Sequence, residues 1–199
     1  MLEKDKFLEK IKLITLIICL FFFTKISLAN SLEVELINYN KSLENSSATF
    51  IQTDGETIEE GVVYIGSNRI KINYEKPEKI TVILSKRKGM YINHELKEVQ
   101  YFNTNKSFVS VFFKIFKNEN FLKKSNLEKA NNTIVVKNKF QTNSGLNNIK
   151  IIYENNPVKL RKIIIEEEGR DFEIGFFNHS SFKSFNKKFF SLINPYLKD

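Results

Sequence analysis

The chain is poor in the residues on which disulfide scaffolds and many enzyme sites depend. Its 199 residues include one cysteine, two histidines, three prolines, seven glycines and no tryptophan. Cys19 lies inside an apolar run near the N-terminus, and no cysteine follows it. Residues 30–199 therefore cannot form a disulfide, supply a catalytic thiolate or bind a metal through cysteine.

The other polar residues also lack the spacing of a catalytic or metal site. His94 and His179 have no metal-ligand spacing, and neither lies beside a candidate serine nucleophile. The sequence shows no paired acids, no catalytic triad and no phosphate-binding glycine loop. The acidic run at residues 166–168 is predicted to be a solvated hairpin tip rather than a cation site. The sequence thus favours a binding protein over an enzyme, with no cofactor and no bound metal.

The N-terminus has the pattern of a secretory signal peptide. Lys10 and Lys12 precede an apolar run at residues 13–23, and Ser27-Leu28-Ala29 supplies a small-residue cleavage site. The run is shorter than the roughly 20 residues of a membrane-spanning helix. We therefore expect residues 1–29 to be removed as a signal peptide and residues 30–199 to form one domain. An uncleaved anchor is the alternative, because acidic residues also occur near the N-terminus.

The formal net charge of +8 at pH 7 has two interpretations. A basic protein favours anionic partners such as lipid headgroups. The chain is also rich in Lys, Asn, Ile and Phe together, a composition that AT-rich codons produce without any functional demand. Nucleic acid is not an expected partner for a secreted protein.

Apolar residues recur with the two-residue period of β-strands through most of the chain. In the clearest case Ile70, Ile72 and Tyr74 share one face of a strand, and Lys71 and Asn73 occupy the other. This alternation predicts a half-buried antiparallel strand. Similar patterns predict strands at residues 48–53, 61–65, 80–84, 89–93, 99–102, 133–140, 149–153, 160–165 and 171–177.

Two segments have helical rather than strand periodicity. Leu32, Leu36, Tyr39 and Leu43 predict a short amphipathic helix. In the second segment one stripe holds Phe108, Phe112, Ile115 and Phe116, and this helix is apolar enough to be buried or to cover an apolar hole. Residues 182–190 interleave phenylalanine with lysine, which favours packed rings with lysines reaching outward over a membrane-surface or nucleic-acid segment.

Several short motifs stand in the order of a known family. They are Phe50-Ile51-Gln52, Gly61 with Tyr64, the strand of residues 70–77 closed by Tyr-x-x-Pro, the hairpin at residues 91–99, the Pro-x-x-Leu of residues 157–160 and Gly169-Arg170. Together with the order of strands and helices, they resemble the periplasmic outer-membrane lipoprotein carrier family, LolA, over nearly all of residues 30–199. One departure is Gly66-Ser67, where the family commonly has an Arg-Pro pair whose arginine ties the sheet to its helical lid.

The resemblance implies an α+β fold in a single lipoprotein carrier domain at residues 30–199. That fold is an open, strongly curved antiparallel β half-barrel with an α-helical lid over an apolar cavity. The implied lipid-binding cavity consists of Phe50, Val62, Tyr64, Ile70, Ile72 and Tyr74. The implied lid residues are Leu36, Phe108, Phe112 and Phe116. Arg69 and Lys71 are expected at a rim that faces partners.

The resemblance also implies a function. The protein is expected to be a monomeric periplasmic carrier that binds lipoprotein acyl chains and shuttles them from the inner to the outer membrane. The implied partners are lipoproteins, an inner-membrane ABC transporter for loading, and an outer-membrane receptor or the membrane itself for unloading. The alternative is a lipid- or lipoprotein-sensing regulatory protein, or a general lipid shuttle, on the same half-barrel.

Overall fold

The computed structural model describes residues 32–104, 110–141, 145–167, 169–186 and 188–197. Helix α1 covers residues 32–42. The first six strands are β1 (Ser46–Thr53), β2 (Ile58–Ile65), β3 (Ile70–Lys76), β4 (Ile80–Leu84), β5 (Lys88–Asn93) and β6 (Glu98–Asn103). The remaining elements are α2 (Ser110–Lys117), α3 (Glu119–Lys123), β7 (Asn126–Ala130), β8 (Thr133–Gln141), β9 (Leu146–Glu154), β10 (Lys159–Glu167) and β11 (Arg170–Ser181).

All eleven strands form one open antiparallel sheet. Their order is β6-β5-β4-β3-β2-β1-β11-β10-β9-β8-β7, so strands that are consecutive in sequence are neighbours in the sheet, with β6 and β7 as the one exception among the described strands. The first and last strands, β1 and β11, pair with each other at the centre. Strands β6 and β7 lie at opposite edges, and α2 and α3 lie between them in the chain. This architecture confirms the predicted α+β fold with an open antiparallel sheet.

The sheet wraps around the helices. Eleven strands spaced about 4.8 Å apart would form a flat sheet roughly 50 Å wide. One continuous hydrophobic cluster nevertheless joins Leu84 of β4, Ile134 of β8 and Leu36 of α1. It also includes Ile115 of α2 and Leu122 of α3. The concave side of the sheet and the three helices therefore share a single core.

Strand pairing determines which side chains point into this core. Phe50 lies opposite Gly61, and Val63 lies opposite Ile72. A Cβ atom on Gly61 would lie 2.0 Å from the carbonyl oxygen of Asn73, so only glycine fits this position. The absence of a side chain there lets Phe50 lie across β2 on the concave side.

Strand β7 and helix α3 were not predicted from the sequence. Strand β7 is polar and almost entirely exposed because it lies at the sheet edge and pairs only with β8. It therefore lacks the apolar alternation that identifies the inner strands. Helix α3 is a single turn that begins after Asn118, whose side chain accepts a hydrogen bond from the backbone N–H of Asn120.

The segment formed by residues 182–186 and 188–197, hereafter the outer-face segment, covers the convex side of β2 to β6. The rings of Phe185 and Phe189 stack with centroids 5.0 Å apart, and Phe189 packs edge-on against Tyr64. Further along, Leu192 and Tyr196 pack on a second hydrophobic cluster formed by Ile83, Met90 and Ile92. The predicted packing of the phenylalanines in this part of the chain is confirmed.

Candidate functional site

The concave side of the sheet carries a pocket beneath helix α2. Strands β1, β2, β3 and β11 contribute its floor, and α2 contributes Phe112. Its lining residues are Phe50, Gln52, Val63, Ile72, Tyr74, Phe112, Ile174 and Phe176. Only Gln52 and Tyr74 bring polar side-chain atoms to it. The pocket suits the methylene chain of a ligand far better than a polar group.

Phe112 fills this pocket in the present conformation. Its side chain is 6% exposed, and about 10 Å³ of space remains around it. This space has room for about one water molecule at most, so it is too small for an acyl chain. Phe112 of helix α2 thus closes this pocket on the side opposite the strands.

The structure brings together three of the predicted cavity residues, namely Phe50, Ile72 and Tyr74. Ile70 is fully buried in the same core, although it does not line this pocket. Of the predicted lid residues, Leu36, Phe112 and Phe116 are buried in that core as well. Phe108 lies outside the described residues.

Comparison with known proteins agrees with this architecture. A model of the family described as outer membrane lipoprotein carrier protein LolA matches residues 41–192. The chain belongs to the LolA family. This is a family of carrier and binding proteins rather than enzymes, and membership supports a lipoprotein- or lipid-binding carrier as the kind of function.

Solved structures similar to this LolA-family chain are very distant from it in sequence. An uncharacterized conserved protein from Thermus thermophilus is 9% identical, with a TM-score of 0.53 over 81% of this chain and 91% of the other. LprF from Mycobacterium bovis is 10% identical, with a TM-score of 0.40 over 77% of this chain and 93% of the other. No curated protein matches the chain significantly.

Two predicted cavity residues of this LolA-family chain lie on the convex face of the sheet, opposite the pocket. Val62 pairs with Asn73, and Tyr64 pairs with Lys71, so both point to the convex side of the sheet. Tyr64 packs there against Phe185 and Phe189 of the outer-face segment. The prediction was wrong because residues 62–65 are all apolar and alternation alone does not fix which residues point inward. The inward residue is Val63, which is 3% exposed.

Arg69 and Lys71 likewise contact the chain itself rather than an open rim. The Nη1 atom of Arg69 donates a hydrogen bond to the carbonyl oxygen of Phe190. The Nζ atom of Lys71 lies 4.4 Å from the centroid of the Phe189 ring, and burial lowers the pKa of this lysine. Both half-buried cations therefore help to hold the outer-face segment against the sheet.

A carboxylate lies beside the polar end of the pocket. The Nε2 atom of Gln52 donates to Oε2 of Glu59 over 2.8 Å. Partial burial raises the pKa of Glu59, and the nearby carboxylates of Asp54 and Glu78 raise it further. Burial, followed by the charge of Glu59, also raises the pKa of Tyr74, so its hydroxyl stays neutral at physiological pH.

Four pocket residues were absent from the predicted cavity: Gln52, Val63, Ile174 and Phe176. Gln52 belongs to the Phe-x-Gln motif, and Ile174 and Phe176 share a face in the alternating pattern of β11. These local signals show that the residues are in strands. The pairing of β1 with β11, which brings Phe176 opposite Phe50, links distant parts of the sequence and has no local signal.

A surface groove elsewhere on the described part of the chain differs chemically from this pocket. It measures about 690 Å³ and includes Lys137, Lys139, Lys150 and Glu166 in its lining. Within the described ranges, no three His, Cys, Asp or Glu residues are placed to hold a metal ion. No described helix is both long enough and apolar enough to cross a membrane.

Proposed function

We propose that this LolA-family chain is a periplasmic carrier that binds lipoprotein acyl chains under helix α2 and shuttles them from the inner to the outer membrane. One observation carries the proposal: helix α2 places Phe112 over a pocket whose other walls are almost entirely apolar. Such a site can exchange its own side chain for a ligand chain without exposing much apolar surface to water.

The energetics of this exchange favour a long ligand. Each buried methylene group contributes about 0.8 kcal/mol, so burying several acyl chains can release tens of kcal/mol. Moving a buried phenylalanine into water costs only about 1.5–3 kcal/mol. An acyl chain can therefore displace Phe112, and the returning side chain assists release by refilling the pocket.

We assign the proposed lipid-binding surface to the pocket lining together with Ile70. The proposed lid comprises α1 and α2, through Leu36, Phe112 and Phe116. Phe108 remains a predicted lid residue outside the described part of the chain. Val62, Tyr64, Arg69 and Lys71 are excluded from this surface because they lie on the convex side or contact the outer-face segment.

Location and partners follow from family membership and from the N-terminal pattern. The family is periplasmic in general, and residues 1–29 are predicted to direct secretion and to be cleaved. Loading by an inner-membrane ABC transporter, whose ATP would supply the work, is proposed by analogy with the family. Unloading is proposed at an outer-membrane receptor or at the membrane directly.

The test is to purify the protein from the periplasm and identify its bound species by native mass spectrometry. A bound triacylated lipoprotein, or its acylated N-terminal peptide, is the expected result. Free phospholipid alone would contradict the lipoprotein specificity and indicate a general lipid shuttle. A folded protein that remains empty while its lipoproteins are abundant would contradict carriage and favour a sensor.

A further inference from the structure

A buried asparagine connects the two lid helices. Asn40 of α1 is 7% exposed, and its Nδ2 atom donates to the carbonyl oxygen of Ile115 in α2 over 2.9 Å. The two residues are 75 positions apart in the sequence, so this bond arises from tertiary packing. A polar side chain in this otherwise apolar core requires a partner, because an unpaired amide there would be costly.

The carbonyl group of Ile115 requires that partner as well. The last four carbonyl groups of an α-helix have no backbone N–H donor within the helix. In α2 the carbonyl oxygen of Lys114 accepts a hydrogen bond from the backbone N–H of Asn118 over 3.1 Å. The carbonyl oxygen of Ile115 accepts its hydrogen bond from the side-chain amide of Asn40. A residue of α1 thus supplies the hydrogen-bond donor for a carbonyl group at the C-terminal end of α2.

The sheet holds the same asparagine from its other side. The hydroxyl of Tyr153 in β9 donates to Oδ1 of Asn40 over 3.3 Å. This arrangement fixes the orientation of the amide, since a carbonyl can only accept and must face the Nδ2 atom. The ring of Tyr153 packs edge-on against Tyr39, whose hydroxyl accepts from the backbone N–H of Leu160 over 2.8 Å.

We propose that Asn40 is the lid latch, a positioning residue that holds α2 closed in the empty carrier and sets how readily it opens. The significance of this latch for acyl binding rests on the proposed function. When α2 moves outward, the hydrogen bond between Asn40 and the carbonyl of Ile115 breaks. The latch therefore favours the conformation in which Phe112 fills the pocket. Because only the open form admits an acyl chain, apparent affinity falls with the fraction of open molecules.

A second link from α1, to the neighbouring helix α3, supplies a control. The Nζ atom of Lys41 lies 3.0 Å from a carboxylate oxygen of Glu119, but the two side chains are 61% and 49% exposed. Exposed ion pairs of this kind contribute little because water and salt screen them. The adjacent residues Asn40 and Lys41 thus offer one buried link from α1 to α2 and one exposed link from α1 to α3.

The first measurement is amide hydrogen exchange without ligand in Asn40→Ala and Lys41→Ala. In Asn40→Ala we expect residues 114–117 of α2 to exchange about two- to tenfold faster than in the wild type, while strands β9 and β10 change less. Lys41→Ala should change these rates by less than about twofold. Unchanged protection of α2, or an equal loss in α2 and β9, would overturn the latch.

The second measurement is binding of pyrene-labelled palmitate. A weaker latch should tighten apparent binding by about the same factor as the change in α2 exchange. If Asn40→Ala does not fold, Tyr153→Phe removes only the hydroxyl that orients the amide and should show the same pattern to a smaller degree. Unchanged α2 exchange in Tyr153→Phe would then overturn the latch. Failure of every variant and of the wild type to bind the probe, with altered exchange in α2, would contradict the proposed function and leave the latch standing.

Discussion

Gly61 and Phe50 lie opposite each other where β1 and β2 pair, and their contact helps to fix which side chains of β2 point inward. The next inward residue is Val63, which faces the pocket beneath α2, whereas its neighbour Val62 points to the convex side. Two adjacent valines of the same strand therefore have different environments. The difference provides a direct test of the face assignment.

Val63→Thr and Val62→Thr should have unequal effects on stability. The substitution keeps the shape of the side chain but adds a hydroxyl, which has no polar partner in the apolar pocket. We expect Val63→Thr to lower the free energy of unfolding by about 1–3 kcal/mol and to weaken acyl-probe binding. For Val62→Thr we expect a change below about 0.5 kcal/mol. Urea denaturation provides the measurement, and equal losses in both variants would refute the assignment.

Glu59 provides a prediction about pH. Because burial and neighbouring carboxylates raise its pKa in the folded protein, the folded state binds this proton more tightly than the unfolded chain does. The resulting stabilisation is present below the unfolded pKa of about 4.3 and is lost as pH rises through the folded value. Glu59→Gln should therefore increase stability at pH 7, by less than about 1 kcal/mol because the group is partly exposed.

Urea denaturation of Glu59→Gln at pH 4 and pH 7 tests this sign. The gain at pH 7 should shrink or vanish at pH 4, where the wild-type carboxyl is already largely protonated. Glu60→Gln is the matched control, because Glu60 is exposed and pairs with Lys76. A loss of stability at pH 7 in Glu59→Gln would contradict the burial argument.

At the scale of elements, α2 and the outer-face segment pack on opposite faces of the sheet. Helix α2 presents Phe112 to the concave side, whereas the outer-face segment presents Phe185 and Phe189 to the convex side. The two elements therefore protect opposite faces of the same strands. The proposed function assigns ligand binding to the concave face, where the apolar pocket beneath α2 lies.

Phe112→Leu should bind acyl chains more tightly than the wild type. The smaller side chain leaves part of the pocket unfilled, so a ligand displaces fewer contacts when it enters. We expect a two- to fivefold gain in affinity for pyrene-labelled palmitate, together with a stability loss of about 1 kcal/mol. Phe113→Leu is the control, because Phe113 is only partly buried. Weaker binding by Phe112→Leu would contradict the role of this residue as a displaceable plug.

Phe189→Ala should loosen the outer-face segment. This ring contacts Tyr64, Phe185, Phe190 and the Nζ atom of Lys71, so its removal breaks the centre of the aromatic cluster. We expect a stability loss of about 1–3 kcal/mol and roughly tenfold faster tryptic cleavage after Lys183. Phe182→Ala is the control, because Phe182 is 44% exposed. Unchanged cleavage in Phe189→Ala would show that the segment is held elsewhere.

At the scale of the whole molecule, local patterns predicted most strands but not how they meet. Alternation identified β3 correctly, and the apolar stripe identified α2, because each is a property of a few consecutive residues. The prediction of which β2 residues point inward was wrong because residues 62–65 are all apolar. The contacts of Arg69 with Phe190 and of Asn40 with Ile115 join distant residues, and no local pattern encodes them.

The pairing of the first strand with the last has a consequence for folding. Thr49 pairs with Phe177, so the centre of the sheet is completed by residues near the end of the chain. Strands β2 to β6 can form as successive hairpins, but the core beneath α1 and α2 stays open until β11 has joined β1. Distant pairing of this kind slows folding. A chain threaded through a membrane pore from its N-terminus could therefore not complete this core until nearly all of it had passed.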